Sequence, residues 1–168
     1  IDRSAPVDAE VETIAVLQSL DDVAWSADFA MRRSGDAISP GIVGIDRGRL
    51  RLRMHSGVEV ALAGPARVEL LDAKALRIVA GEIDVSVPEQ GIGFRVITPS
   101  ADVIDLGTAF HVRVDDTGAT EVHVTQGLVV ARAVDSDGVV QVKRNEAARF
   151  EALSGDISAI PFRASTEV

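Results

Sequence analysis

The sequence predicts an all-β domain, an antiparallel two-sheet sandwich that is jelly-roll-like or wound as a solenoid-like wrap. Three observations predict it. From Leu50 onward apolar residues recur at every second position, the period of a half-buried strand. Turn residues interrupt these runs about every ten residues, and no long amphipathic helix separates them. The apolar content is mostly Val, Ile, Leu and Ala, with no Tyr and one Trp, so the core is aliphatic and suited to pleated surfaces.

With 168 residues the chain is sized for one domain spanning 1–168. Residues 1–39 read as an N-terminal strand and connecting region, 40–150 as the patterned body, and 151–168 as a C-terminal strand or tail. Near the start two readings stand. Asp8 can cap a helix whose apolar face holds Val11, Ile14, Ala15 and Leu17, with Glu10, Glu12 and Gln18 in solvent. A strand over Thr13–Leu17 is favoured by the β-branched Ile14 and Val16. Ser26 to Gly44, with Arg32, Arg33, Gly35, Pro40 and Gly41, is expected to be a long and mobile connection.

The strands then follow from their inward residues: Leu50, Leu52 and Met54; Val58, Val60 and Leu62; Val68 and Leu70; Leu76 and Ile78; Ile83, Val85 and Val87; Phe94 and Val96. Further on come Phe110, Val112 and Val114; Val122 and Val124; Leu128 and Val130; Val140 and Val142. Turns are expected at Asp46–Gly48, Ser56–Gly57, Gly64–Pro65, Asp72–Lys74, Gly81, Pro88–Gly93, Asp115–Gly118 and Asp135–Gly138.

The net charge of −9, with no strong Lys/Arg cluster, makes nucleic acid an unexpected partner. Without cysteine there is neither a disulfide nor a thiolate metal site, and cysteine usage gives no compartment. No apolar run reaches the ~20 residues of a membrane span, and the start lacks the pattern of a signal peptide. Because the chain opens with Ile1, it is expected to be a fragment whose targeting or membrane-spanning segment lies elsewhere.

The stretch Val96–Val114 is the chain's best identifier, since two alternating runs meet at Leu106-Gly107-Thr108. Gly107 is suited to a positive φ or a close backbone approach that bends the strand between Asp105 and Phe110. Asp105 and Thr108 can bond the backbone groups a bulge leaves unpaired, and Phe110 anchors the bend in the core. Asp105, Leu106, Gly107, Thr108 and Phe110 are therefore a fold-defining motif.

If Phe110, Val112 and Val114 pair across the Asp115–Thr120 turn with Val122 and Val124, then His111 and His123 lie together on the outer face. Two histidines fall short of a metal site, Glu121 and Asp115 read as hairpin residues, and His55 flanks the Ser56–Gly57 turn. Asp115-Asp116 and Asp135-x-Asp137-Gly138 are both explained by turn chemistry, and the latter lacks the spacing and terminal Glu of an EF-hand calcium loop. There is no Gly-x-Ser-x-Gly, and Gly91-Ile-Gly93 precedes a strand rather than a helix. No catalytic, cofactor or metal residues are expected, and Glu59, Glu69, Glu82 and Asp84 read as solvated faces and edge protection.

Leu106-Gly-Thr-Ala-Phe110-His-Val-Arg-Val114 resembles the signature of FecR-type domains. Similar in order and spacing are Gly48-Arg-Leu50, Ser56-Gly57-Val58, Gly64-Pro65-Ala66, Ala80-Gly81-Glu82, Val87-Pro88, Gly93 to Pro99 and Glu121 to Gly127, so the likeness spans roughly 40–150. Gly64-Pro65-Ala66, Val87-Pro88, Thr98-Pro99 and Asp105 look like a divergent branch found in envelope proteins. In the best understood branch, a cytoplasmic segment that holds a sigma factor precedes one membrane helix and this domain, which hears the signalling region of an outer-membrane transporter.

The resemblance implies a non-enzymatic signalling or interaction domain on the periplasmic or cell-surface side of the envelope, its parent membrane-anchored. Its partner is expected to be a protein, that transporter region or another envelope protein, docked by strand addition at an edge or on a sheet face. The alternative is a carbohydrate-binding or cell-wall-binding sandwich, which needs Trp25 exposed beside a groove. A cupin-like enzyme would need a convergent His and carboxylate cluster inside the barrel.

Overall fold

The computed structural model describes residues 12–165, and they form thirteen strands and one turn of 3-10 helix at Glu89–Gly91. In order the strands are β1 Ala15–Trp25, β2 Ala37–Ile38, β3 Gly41–Met54, β4 Glu59–Asp72, β5 Ala75–Ser86, β6 Arg95–Ile97, β7 Ala101–Asp105, β8 Ala109–Val114, β9 Thr120–Gln126, β10 Leu128–Ala133, β11 Val139–Lys143, β12 Ala147–Phe150 and β13 Ile157–Ile160. All pairings are antiparallel except the short contact of β5 with β6. Among the described residues the sheet is not closed into a barrel.

One strand explains the two-layer build. The first residues of β5, Ala75–Arg77, pair with β6, while Gly81–Ser86 pair with β8. From that fork one wing runs β6–β7–β10–β11 and the other β8–β9–β12–β13, and the long β3 and β4 continue both. Each wing buries one face, and the buried residues of both make a single aliphatic cluster, with Phe94, Phe110 and Phe150 among it. The wings therefore close on each other like the leaves of a book.

The hinge of that book is written in glycine. The pairing of β3 with β4 skips from Ile45 to Arg49, and that of β4 with β5 from Ala63 to Arg67. At the skip Gly81 has φ +98°, and a Cβ there would stand 2.6 Å from the carbonyl oxygen of Pro65. Gly48, at φ +88°, would bring a Cβ to 2.2 Å from the carbonyl of Asp22. Only glycine permits that backbone and that approach together. Asp46–Gly48, Gly64–Pro65 and Gly81 are consequently bends inside three long strands and not the turns expected between six short ones.

The hairpin turns at Ser56–Gly57, Asp72–Lys74, Asp115–Gly118 and Asp135–Gly138 stand where the sequence put them. The strand read over Thr13–Leu17 is the first part of the longer β1; Asp8, Glu10 and Val11 lie outside the described residues. The connection after β1 is shorter than expected, because β2 and the start of β3 fall inside Ser26–Gly44. It is also tied down: the Gly35 amide donates to Leu17 at 2.7 Å, and the Arg67 guanidinium sits 4.9 Å from the centre of the Phe29 ring. In β10 the parity is the reverse of the reading, with Val129, Ala131 and Ala133 buried and Leu128 and Val130 turned outward. Three consecutive apolar residues gave no alternation to fix it, and pairing with Asp105 and Val103 decides the matter.

Candidate interaction surface

Leu106-Gly107-Thr108 is the passage between the wings. Asp105 ends β7 in one wing and Ala109 opens β8 in the other, so the motif is a three-residue crossover and not a bulge within one strand. Gly107 takes φ +95°, and its amide donates to Asp105 Oδ2 at 3.0 Å. Gly127 seats against it, for a Cβ at Gly127 would lie 2.2 Å from the Gly107 carbonyl oxygen. Asp105 is fully buried, and burial raises its pKa above the ordinary 3.8 while the amides of Gly107, Thr108 and Gly93 pull it down. The Thr108 hydroxyl is buried without a hydrogen-bond partner among the described residues, contrary to the backbone-bonding role expected for it. Phe110 is buried in the core.

Leu106, the large apolar residue of the motif that is not in the core, is 47% exposed. The registers show what surrounds it. Across the outer face of this wing Gln141, Val130, Ile104 and Arg95 form one cross-strand row, and Val139, Arg132, Asp102 and Ile97 form the next. Leu128 is opposite Lys143, and its carbonyl accepts the Leu106 amide at 3.1 Å. Leu106, Leu128, Ile104 and Val130 thus make an apolar strip, with Ile92 beside Gly107 at its end. Arg95 is held by Asp102 through two bonds of 2.7 and 2.5 Å, which leaves Arg132 and Lys143 as the strip's basic rim.

One strand beyond the strip is an edge, where Lys143 and Gln141 of β11 stand opposite Leu128 and Val130. Among the described residues β11 pairs on one side only, with β10. Its outward side can be deduced from two bonds: the Ala133 amide donates to Gly138 and the Arg144 amide to Gly127, so these are the hydrogen-bonded pairs of the ladder. Val139, Gln141 and Lys143, in the alternate pairs, direct their N–H and C=O groups away from β10. The Lys143 amide is taken by Glu146 Oε2 at 3.0 Å. Val139, whose side chain is 55% exposed, and Gln141 present theirs along the edge.

The outer face of the other wing is occupied. His111 and His123 are directly opposite in register, as expected, but they are not surface groups. His123 is 5% exposed because the segment Pro161–Ser165 crosses it: the Arg163 amide donates to His123 Nδ1 at 3.1 Å and the Phe162 ring lies 6.2 Å away. His111 spans Asp84, at 3.0 Å from Nδ1, and Glu82, at 3.2 Å from Nε2. Hairpin alternation found their shared face and carried no sign of the segment that covers it. Among the described residues no group of three or more His, Cys, Asp or Glu is placed to hold a metal ion.

Trp25 packs partly buried against the core and, with Phe29 and Ile42, lines a cavity of about 100 Å³. That is small beside the several hundred Å³ of a usual ligand pocket. A wide groove, about 1160 Å³ along the hinge, is walled by Asp28, Asp46, Arg67, Glu82, Arg113 and Asp116 with no aromatic side chain. Arg149 binds Asp115 at 3.0 Å and Glu151 at 2.6 Å near its end, and Asp115 is lowered to about 2, chiefly by the Thr117 hydroxyl. No described helix is long and apolar enough to cross a membrane.

Residues 42–130 match the family model described as FecR protein. Two crystal structures of a putative anti-sigma factor from Parabacteroides distasonis ATCC 8503, at 1.65 and 2.50 Å resolution, superpose with TM-scores of 0.62 and 0.61. Each is 22% identical over 73% of this chain and 60% of its own length, so the likeness is one of fold. Among curated proteins there is no match.

Proposed function

We propose, since the chain belongs to the FecR protein family, that it is the non-catalytic sensor region of an envelope regulator and passes a signal by protein contact to a sigma factor. The observation that carries the contact is β11, which among the described residues pairs on one side only, with the outward backbone of Val139 and Gln141 at the edge and the Leu128 and Val130 part of the apolar strip one strand further in. Strand addition there supplies backbone hydrogen bonds for affinity and alternate side-chain contacts for specificity. Its occupant is an extended segment of an envelope protein, such as the signalling region of a transporter, apolar on one face and acidic where it meets Arg132 and Lys143. The anti-sigma description of the structural neighbours agrees with this reading.

The carbohydrate-binding reading has less support, because Trp25 packs on the core and the hinge groove has no aromatic wall. The test is made in the full-length protein in cells. Val139→Glu and Gln141→Pro, both at the outward edge, should abolish the transcriptional response while the protein accumulates normally. A normal response in both variants would remove β11 from the mechanism.

A further inference from the structure

We propose that Pro161–Ser165 is a detachable strap, clasped to the outer face of β5, β8 and β9 through neutral His123 and Asp84, and released on acidification. This inference stands apart from the signalling role. Three contacts hold the strap: the Arg163 amide on His123 Nδ1 at 3.1 Å, the Phe162 ring against the His123 ring, and the Ser165 hydroxyl on Asp84 Oδ2 at 2.9 Å. Backbone amides donate only, so Nδ1 must be the accepting, unprotonated nitrogen and Nε2 must carry the ring proton. A second proton would have to go on Nδ1, where it would face the Arg163 N–H. Strap closure and protonation of His123 are therefore mutually exclusive.

The charges around the ring reinforce this. From β9 itself Glu121 lies 3.9 Å from Nε2 and favours the proton, but Glu121 is shared with Arg149 of β12 at 3.6 Å and Arg113 of β8 at 3.7 Å. From β8, His111 stands with its ring centre 6.3 Å away, and from the strap comes Arg163. Glu82 and Asp84 of β5 face His111 rather than His123. Burial depresses the His123 pKa below 6.5, and His111 and Arg163 depress it further against Glu121. For His111 burial also depresses the pKa, but Asp84 and Glu82 outweigh it and the net shift is upward. His111 thus charges first as pH falls, and its charge opposes the second.

The sign follows from the lowered pKa. His123 supports closure fully above the ordinary histidine value, and the support is lost as pH falls from there towards the depressed value of the closed state. The opening constant rises up to about tenfold per pH unit in that window. Opening would uncover the groove beside Arg51, Ala61 and Asp84, which Ser165 lines. His111, with its raised pKa, works in the other direction and sets a limit above which its bridge between Asp84 and Glu82 weakens.

The test is a pH titration of the 168-residue protein by heteronuclear NMR from pH 8 to 5, following the Arg163 and Ala164 amides and the His123 ring. The expected result is one shared midpoint below 6.5 for ring and amides, with core amides such as Val122 unmoved. His123→Phe, which keeps a ring against Phe162 and removes the titrating nitrogen, should abolish the strap's pH response. Ser165→Ala leaves His123 in place and should move opening to higher pH. Strap amides that stay fixed while His123 titrates, or that respond equally in His123→Phe, would overturn the proposal.

Discussion

The hydroxyls of Thr98 and Thr120 lie 2.5 Å apart across the two wings, in a site where both residues are buried. Thr98 precedes the turn between β6 and β7, and Thr120 opens β9, so the bond ties one leaf of the sandwich to the other. Ser100 adds a second contact to Thr120 at 2.7 Å, and Thr98 also accepts the Ala101 amide at 2.9 Å. Thr120→Val keeps the shape and leaves two buried hydroxyls without that partner. The expected loss is about 1–3 kcal/mol in urea unfolding, with Thr120→Ser restoring most of it.

The hinge glycines separate two causes of strain. Gly81 combines φ +98° with a backbone oxygen 2.6 Å from a new Cβ, whereas Gly93 has φ +96° and open space around it. Gly93→Ala should cost roughly 1 kcal/mol, the conformational term alone. Gly81→Ala should cost clearly more, because the strands at the fold must also part. Equal losses in chemical denaturation would mean that the close approach at the hinge has no energetic weight.

Two carboxylates give stability opposite pH dependences. Asp105 is raised by burial, so its folded state favours the proton, and the stability it contributes below the ordinary carboxylate value is lost as pH rises through the raised one. Asp105→Asn should gain on the wild type as pH rises from 4, and the difference should level off once Asp105 is ionised. Asp115 is lowered to about 2, mainly by the Thr117 hydroxyl, so its stabilisation is present above 3.8 and lost as pH falls towards 2. Asp115→Asn should therefore flatten the acid limb. Unfolding free energies of the two variants from pH 2 to 7 check both signs.

Much of this architecture was legible because period-two burial leaves a direct trace. Leu50, Leu52 and Met54 of β3, Val60, Leu62, Val68 and Leu70 of β4, the inward residues of β5 and β8, and Val122 and Val124 of β9 follow from alternation alone, and hairpin turns from their Asp, Ser and Gly; buried Ile45 and His123 do not. Bends were not separable from turns: Gly81 and Gly48 are as suited to a kink inside a strand as to a reversal between two, and only pairing distinguishes them. The same limit hid the role of Leu106-Gly107-Thr108, since a crossover and a bulge ask for similar residues. The edge of β11 and the strap over His123 depend on which distant strands meet, and Val139 or Ser165 carries no local mark of it. In β10 the run Leu128-Val129-Val130 concealed its own parity.

Docking at the β11 edge is decided by site-specific photo-crosslinking in cells that produce the full-length protein, with the photoreactive residue at Val139 and, separately, at Asp28 in the hinge groove. The expected result is one envelope protein captured from Val139, lost when Gln141→Pro is added, and no such product from Asp28. Capture from Asp28 alone, or a Val139 product indifferent to Gln141→Pro, would contradict signalling by strand addition at β11.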